Sequence, residues 1–259
     1  MLFTQEQMKE YNENGFIIIP SLLSKDEVDF ILDENQASSY IKEHSWESGD
    51  LQGNITKISL WNHPPENIYG NISRSHKVVD RAEEILGGEV YHWHSKMIMK
   101  EAHTGGAWEW HQDYGYWYKD NCLTPDLVSC MMAINKCTIE NGCLQVLVGS
   151  HKLGRVDHGT VAKQVGADMV RVAEAEKIFP KFYVELNPGD ALFFHSNLLH
   201  TSAPNKSDNP RFVYIACYNK KTNSPFGREG KTGGHPVYTP LQKINNDKIL
   251  PNTQMANAL

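Results

Sequence analysis

The chain has 259 residues, of which 40% are hydrophobic and 22% charged, with a formal net charge of −6 at pH 7. This composition is typical of a folded globular protein, and the acidic balance argues against binding to nucleic-acid backbones, which needs concentrated Lys and Arg. No apolar run is long enough to cross a bilayer, and the N-terminus lacks a basic segment followed by an apolar core, so we expect a cytoplasmic protein.

The chain contains five cysteines, at positions 122, 130, 137, 143 and 217. Their number is odd and no pair has CxxC spacing, so the sequence predicts neither a disulfide framework nor a zinc site. We expect buried free thiols in a reducing compartment.

The first 88 residues are predicted to be mainly helical. Thr4 and Gln7 have the spacing of a capping box, and Gly87 is a typical residue to end a helix. The predicted elements are a helix over 4–12, a strand over 16–20, a helix from 24 and a helix over 75–86. The polar, irregular segment 38–69 supports no assignment, although Trp61 is a candidate for a pocket mouth.

After residue 88 the pattern changes to short strands rich in β-branched and aromatic residues. Strands are predicted over 89–99, 108–113, 127–134, 143–148, 182–186, 191–195 and 212–218. Residues 149–181 are predicted to leave the sheet, with helical periodicity, and this segment is called the excursion. Together with the segment near Trp61 it is a candidate lid. Helices followed by many short strands predict an α+β chain with a β-sandwich or jelly-roll core.

We expect a single domain spanning residues 1–259. It would have a helical part over about 1–88, a core over about 89–219 and a weakly ordered tail over 220–259. Nothing in the sequence indicates its oligomeric state.

His111, Gln112 and Asp113 form a His-x-Asp motif within an aromatic run. On a strand, residues i and i+2 point to the same face, so this imidazole and carboxylate would converge, as two ligands of a 2-His-1-carboxylate iron site must. The same alternation predicts that Trp108, Trp110 and Gln112 face away from the metal, while Glu109 shares its face. From Tyr114 onward we expect a bend.

His200 and Arg211 supply the other groups that such an iron oxygenase requires. His200 provides the second imidazole. The guanidinium of Arg211 is planar and permanently charged, and its paired N–H donors suit a carboxylate. Three protein ligands would leave positions on the metal open for a 2-oxo acid and O₂. The combination is far more specific than any of its parts.

With these motifs the chain resembles the phytanoyl-CoA hydroxylase family of iron(II)/2-oxoglutarate dioxygenases. The similarity extends over essentially the whole chain. The matching segments are Asn14-Gly15-Phe16 with Leu22-Leu23-Ser24, His111-Gln112-Asp113, Glu140-Asn141-Gly142-Cys143-Leu144, Gly149-Ser150-His151-Lys152, Pro188-Gly189-Asp190, Phe193-Phe194-His195, His200-Thr201-Ser202, Asn205 and Arg211.

The resemblance implies a double-stranded β-helix, the cupin-like jelly roll, with flanking N-terminal helices. It also implies iron held by His111, Asp113 and His200, with Arg211 and Ser202 at the far carboxylate of 2-oxoglutarate.

Two further positions carry over from the family. Lys96 falls where relatives place a residue touching the cosubstrate, and Met131 stands where many relatives have a Trp. Family members that halogenate lack the carboxylate ligand, so Asp113 favours hydroxylation.

Other histidines and one further aspartate have competing interpretations. His92 and His94 share one face of a predicted strand and are a rival metal pair, although no third ligand follows at useful spacing. His195 would face away from His200, in a structural role. Asp190 would shape its turn.

The expected function is hydroxylation of an unactivated C–H bond in a small organic molecule, with release of succinate and CO₂. Trp61, Tyr114, Tyr116 and Trp117 are candidate substrate contacts. An acyl-CoA, a quaternary amine and an aminophosphonate-type zwitterion all remain open as substrates. The alternatives of another class are an inactive ligand-binding jelly roll and a metal hydrolase. No nucleic-acid or membrane partner is expected.

Overall fold

The structure is a computed structural model, and it describes residues 2–37, 39–161, 164–226, 235 and 237–251. Within these ranges the helices are α1 (Gln5–Asn14), α2 (Lys25–Ala37), α3 (Ser39–Glu43), α4 (Ile68–Arg74), α5 (His76–Leu86), α6 (Asp113–Trp117) and α7 (Met169–Ile178). The predicted capping box at Thr4 is confirmed, and Gly15 ends α1 with a φ of 82°. None of these helices is long and apolar enough to span a membrane.

The strands carry most of the remaining chain. They are β1 (Phe16–Ile19), β2 (Ser45–Gly49), β3 (Ile55–Trp61), β4 (Val90–Lys100), β5 (Trp108–His111), β6 (Leu127–Ala133), β7 (Leu144–Leu147), β8 (His158–Val161), β9 (Gln164–Ala167), β10 (Lys181–Val184), β11 (Ala191–His195), β12 (His200–Ser202) and β13 (Arg211–Lys220). The segment 38–69, which supported no assignment, contains α3, β2 and β3, with α4 beginning at its end.

Two facing sheets build the core. The larger has the order β1-β11-β6-β13-β4-β3-β2, and the smaller has the order β10-β7-β12-β5. All their recorded pairings are antiparallel. This is the predicted jelly roll on an α+β chain, with the helices of the first 88 residues at its flank. The hairpin of β8 and β9 forms a separate small sheet within the excursion.

The larger sheet is buried on both faces. Along β11, Leu192 and Phe194 pack into the cluster between the sheets, whereas Ala191 and Phe193 pack into the cluster beneath the helices. Alternation along a strand sends neighbouring side chains to opposite faces, so a strand covered on both sides needs a continuous apolar run. The helical layer therefore fixes the large sheet, and the space between the sheets is left for a site.

All five cysteines are buried free thiols, as predicted.

Candidate metal centre and active-site cavity

His111, Asp113 and His200 converge between the two sheets. One possible ligand atom from each residue lies within 4.8 Å of the others, and all three side chains are buried. Among the described residues, no other group of three His, Cys, Asp or Glu side chains meets this criterion. The donor set of two imidazoles and one carboxylate is that of non-haem iron(II) oxygenases.

The His-x-Asp motif lies at the junction of a strand and a helix. β5 ends at His111 and Asp113 begins α6, so the prediction that one strand carries both was wrong at its last residue. The two side chains still converge because Gln112 between them keeps an extended backbone, with φ −116° and ψ 135°. His200 enters from β12, where it is paired directly with His111.

Gln112 points away from the triad, as predicted, and anchors the junction. Its Nε2 donates to the carbonyls of Gly154 and Asn197 at 2.8 and 2.7 Å, and its Oε1 accepts from the backbone N–H of Val156 at 2.7 Å. A buried amide with these partners holds the turn from β5 into α6 in one conformation.

Both imidazoles are oriented by backbone carbonyls. Nδ1 of His111 lies 2.8 Å from the Glu109 oxygen, and Nδ1 of His200 lies 2.8 Å from the Leu198 oxygen. A carbonyl oxygen only accepts, so each Nδ1 carries the proton and each Nε2 presents a lone pair, the arrangement seen in metal-binding histidines. Burial lowers the pKa of both rings, most strongly for His111, which favours the neutral form that a metal requires.

The carboxylate of Asp113 has its own partner, Ser129. Its Oδ2 accepts a hydrogen bond of 2.7 Å from the Ser129 hydroxyl, which is fully buried on β6. Oδ1 lies 4.0 Å from Nε2 of His111. Ser129 was not among the predicted site residues, although it lies two residues before Met131 and therefore shares that residue's face of the strand.

The triad opens into a cavity of about 220 Å³ bounded by described residues. Of the residues predicted for the site, those that line this cavity are His111, Asp113, His200, Arg211, Ser202, Lys96, Met131, Tyr116 and Trp117. Its opposite wall is formed by residues from β2 and β3, namely Trp46, Thr56, Ile58 and Leu60.

One end of the cavity is cationic. Arg211 and Lys100 are paired across β13 and β4, and both are buried. Nζ of Lys100 donates to the Ser202 hydroxyl at 2.8 Å and to the Ala203 carbonyl at 2.7 Å, while Nε of Arg211 has no partner among the described residues. Burial lowers the pKa of Lys100 well below its usual range, and Arg211 lowers it further.

Lys100 was also not among the predicted site residues. The relevant pattern is the alternation along β4, since Lys96, Ile98 and Lys100 all line the cavity. A lysine near the end of a strand is usually solvent-exposed, and nothing in the local sequence marks this one as buried.

Two predicted substrate contacts lie elsewhere, which corrects those assignments. Trp61 points to the opposite face of β3 from Leu60 and stacks on Tyr214 with ring centroids 6.1 Å apart. Tyr114 turns away from the cavity on α6, and its hydroxyl donates to the Leu123 carbonyl at 2.8 Å.

Trp108 was predicted to face away from the metal, and this was wrong. The register of β12 against β5 shifts between His200, which pairs with His111, and Ser202, which pairs with Trp108. The irregularity breaks the alternation, so the Trp108 ring lies 6.3 Å from the His111 ring and lines the cavity. Glu109, expected on the metal face, is absent from the lining.

The rival metal pair does not form. His94 lines the cavity, whereas His92 is directed to the Ser95 hydroxyl, 2.7 Å from its Nε2. The register between β4 and β13 shifts at this point, which separates the two side chains. Asp190 shapes its turn as predicted, accepting from the backbone N–H groups of Asn187 and Ser21 at 2.8 and 2.9 Å.

The excursion over 149–181 packs behind α6. The Tyr116 hydroxyl donates to the Val165 carbonyl at 2.6 Å, and His158 Nε2 accepts from the Gln112 N–H at 2.9 Å. At Gly115 a Cβ atom would lie 2.1 Å from the His158 ring, so only glycine allows this approach. None of the described residues of the segment lines the cavity, and it braces α6 where a lid was expected.

Comparison with known proteins identifies the family. The profile of the phytanoyl-CoA dioxygenase (PhyH) family matches residues 11–213. The chain belongs to this family. It is a non-haem oxygenase that depends on iron(II), 2-oxoglutarate and O₂, and it hydroxylates small organic molecules.

Individual relatives agree with this assignment. The L-proline trans-4-hydroxylase of Streptomyces griseoviridis is 30% identical over 248 residues, covering 89% of each chain. The ectoine dioxygenase of Streptomyces avermitilis is 25% identical over 237 residues, covering 85% of this chain and 80% of its own.

Solved structures share the fold. The enzyme EctD from S. alaskensis, solved with 2-oxoglutarate and 5-hydroxyectoine, superposes with a TM-score of 0.77 at 22% identity, over 95% of this chain and 88% of its own. The epimerase SnoN, solved with Fe³⁺ and alpha-ketoglutarate, gives a TM-score of 0.73 at 19% identity, over 94% of this chain and 96% of its own. These likenesses support the jelly-roll assignment.

Proposed function

We propose that His111, Asp113 and His200 hold the iron(II) of this oxygenase. The donor types match the metal, the three ligand atoms are mutually close, and both histidines are held with Nε2 free. Ser129 acts as a positioning residue, because its hydrogen bond leaves only Oδ1 of Asp113 without a protein donor. We also propose that residues 1–259 act as a single catalytic domain.

The cationic end of the cavity is the proposed anchor for 2-oxoglutarate. The Arg211 guanidinium and the Lys100 amine lie at this end, where a carboxylate would satisfy the unpartnered Nε of Arg211 and would favour the protonated form of Lys100, which burial and Arg211 otherwise disfavour. Buried charges are costly unless they are paired, so the Arg211 end of the cavity favours binding of a carboxylate, whose two oxygens can accept from both basic side chains. Met131 contributes apolar wall between this end and the triad.

The protein's contribution to the reaction is binding, orientation and exclusion of water. Iron bound here would supply O₂ activation, coupled to oxidation of 2-oxoglutarate to succinate and CO₂. The carboxylate anchor fixes the cosubstrate's direction, and the buried triad keeps the reacting end dry. The aromatic wall of Trp108, Tyr116 and Trp117 confines the substrate carbon.

The proposed substrate is a small molecule. The cavity volume of about 220 Å³ lies below the roughly 300–1,000 Å³ typical of drug-sized ligands, so an acyl-CoA would have to leave most of its mass outside. The named substrates of the relatives, L-proline and ectoine, are the first candidates. Quaternary amines and aminophosphonates belong in the same screen.

The main support for this proposal is that the triad and the two buried basic residues, Arg211 and Lys100, line the same cavity. Anaerobic addition of 2-oxoglutarate to the iron(II)-loaded protein should produce the visible charge-transfer band of the chelate, and Arg211→Ala should need far more 2-oxoglutarate to reach it. An inactive binding protein or a metal hydrolase would give no band. Succinate release scored over the substrate panel then tests hydroxylation.

A further inference from the structure

The cavity contains a second polar group of residues that the proposed iron and cosubstrate sites do not use. Lys96 lies in the wall, and its ammonium has no hydrogen bond or ion pair within the described part of the chain. His94 lies beside it, more than nine-tenths buried, and neither of its ring nitrogens has a partner among the described residues. Buried polar groups are normally satisfied, so the unpartnered imidazole of His94, beside the half-buried Lys96, indicates a missing ligand.

Lys96 belongs to a different region of the cavity from Lys100. Lys96 and Lys100 lie four residues apart on the same face of β4, so about 13 Å separates their Cα atoms. Lys100 is paired with Arg211, whereas Lys96 lies two residues from His94 and lines the cavity with it. Lys96 therefore lies away from the carboxylate anchor, in the part of the cavity that is left for a substrate.

Asp120 supplies the opposite charge in the same cavity. It follows α6, and its Oδ2 lies 3.4 Å from Nε2 of His235. Burial lowers the pKa of His235 to about 4, so this ring is neutral at pH 7 and cannot neutralise the carboxylate. Burial raises the pKa of Asp120 to about 6, which still leaves it mostly ionised at pH 7. Among described residues, no Lys or Arg pairs with it.

The surfaces between these groups are aromatic. The Trp117 ring lies 5.6 Å from the His94 ring, and Trp46, Trp108 and Tyr116 also line the cavity. We call the part of the cavity bounded by these aromatic residues with His94, Lys96 and Asp120 the compartment. Indole and phenol faces attract cations and also pack on aliphatic carbon. The compartment thus offers an anion-binding side, a cation-binding side and apolar walls.

We propose that this compartment binds a small zwitterionic amino acid, with its carboxylate at Lys96 and His94 and its ammonium at Asp120. The inference rests on the proposed function, since it assigns the substrate of the same cavity. Opposite charges on the substrate would fix its orientation, so that one C–H bond faces the triad and the others do not.

The test uses the iron(II)-loaded chain of residues 1–259 and a panel of the twenty protein-forming L-amino acids and ectoine. Succinate release above the substrate-free rate identifies the substrates. The methyl ester and the N-acetyl derivative of each active amino acid remove one charge at a time. We expect at least one zwitterion to stimulate turnover, and both derivatives to raise KM roughly 10- to 100-fold.

Variants then assign the two charges. Lys96→Met should raise KM for the amino acid by a similar factor while KM for 2-oxoglutarate stays within about twofold, and Asp120→Asn should do the same. The ester should bind equally poorly to wild type and Lys96→Met, because the carboxylate partner is already missing. Lys57→Met, which removes an exposed lysine from the outer face of β3, is the control.

Two results would overturn the proposal. One is stimulation by no zwitterion of the panel, and the other is a Lys96→Met defect confined to 2-oxoglutarate, which would return Lys96 to the cosubstrate. In either case the anaerobic charge-transfer band of the wild type would still report the iron and cosubstrate site. Loss of that band in the wild type would instead refute the proposed function itself.

Discussion

Ser129→Ala should weaken iron binding without unfolding the protein. The hydroxyl lies 2.7 Å from Oδ2 of Asp113, and neither residue is more than 2% exposed. A hydrogen bond to a charged group contributes roughly 1.5–3 kcal/mol, and removal of such an outer partner typically lowers metal affinity by about 10- to 100-fold. We therefore expect the iron(II) dissociation constant of Ser129→Ala to rise within that range.

The assay is an anaerobic iron(II) titration at saturating 2-oxoglutarate, followed through the charge-transfer band. Ser95→Ala is the matched control, since it also removes a buried strand hydroxyl, one that lies 2.7 Å from His92 Nε2 and away from the triad. Ser129→Thr, which keeps the hydroxyl, should restore most of the affinity. Wild-type affinity in Ser129→Ala, with Ser95→Ala equally stable, would refute a positioning role.

Three other perturbations test separate parts of the structure. His111→Ala or Asp113→Ala should abolish substrate-dependent succinate release, and wild-type-like turnover in either variant would remove the triad from the mechanism. Lys100→Met should raise KM for 2-oxoglutarate at least roughly tenfold, because it removes one of two anchoring charges; an unchanged value, with Lys57→Met as the control, would show that Arg211 suffices. Burial lowers the pKa of His92 to about 3, so below pH 6.5 the unfolded state takes up a proton that the folded state does not bind, and stability falls as the pH is lowered. Because of His92, the free energy of unfolding should decrease by about 2 kcal/mol between pH 7 and pH 5. Urea unfolding at the two pH values should show this decrease in the wild type and not in His92→Gln.

The chemistry of the centre could be predicted from the sequence because it depends on residue type. His111, Asp113, His200 and Arg211 are the groups that an iron(II) and a dicarboxylate require, and their positions relative to strand signals limited the possible folds. Capping at Thr4 and the glycine that ends α5, Gly87, depend on equally local signals, and both predictions are confirmed.

The errors came from features that strand alternation does not encode. A register irregularity in β5 turned Trp108 into the cavity, and the turn into α6 displaced Tyr114 from it. Lys100 and Ser129 were missed because their importance depends on which strands become neighbours. The hairpin of β2 and β3 was missed because its polar outer face carries no clear alternation.

The contact between Gly115 and His158 limits how this enzyme could be adapted to other substrates. With no room behind α6, the wall bearing Tyr116 and Trp117 has no space into which to retreat from a larger molecule. On the facing hairpin of β2 and β3, Trp46 is 45% exposed and can change without a packing conflict of this kind. Directed evolution for bulkier substrates should therefore accumulate changes at Trp46, Ile58 and Leu60 first, leaving the aromatic helix largely as it is.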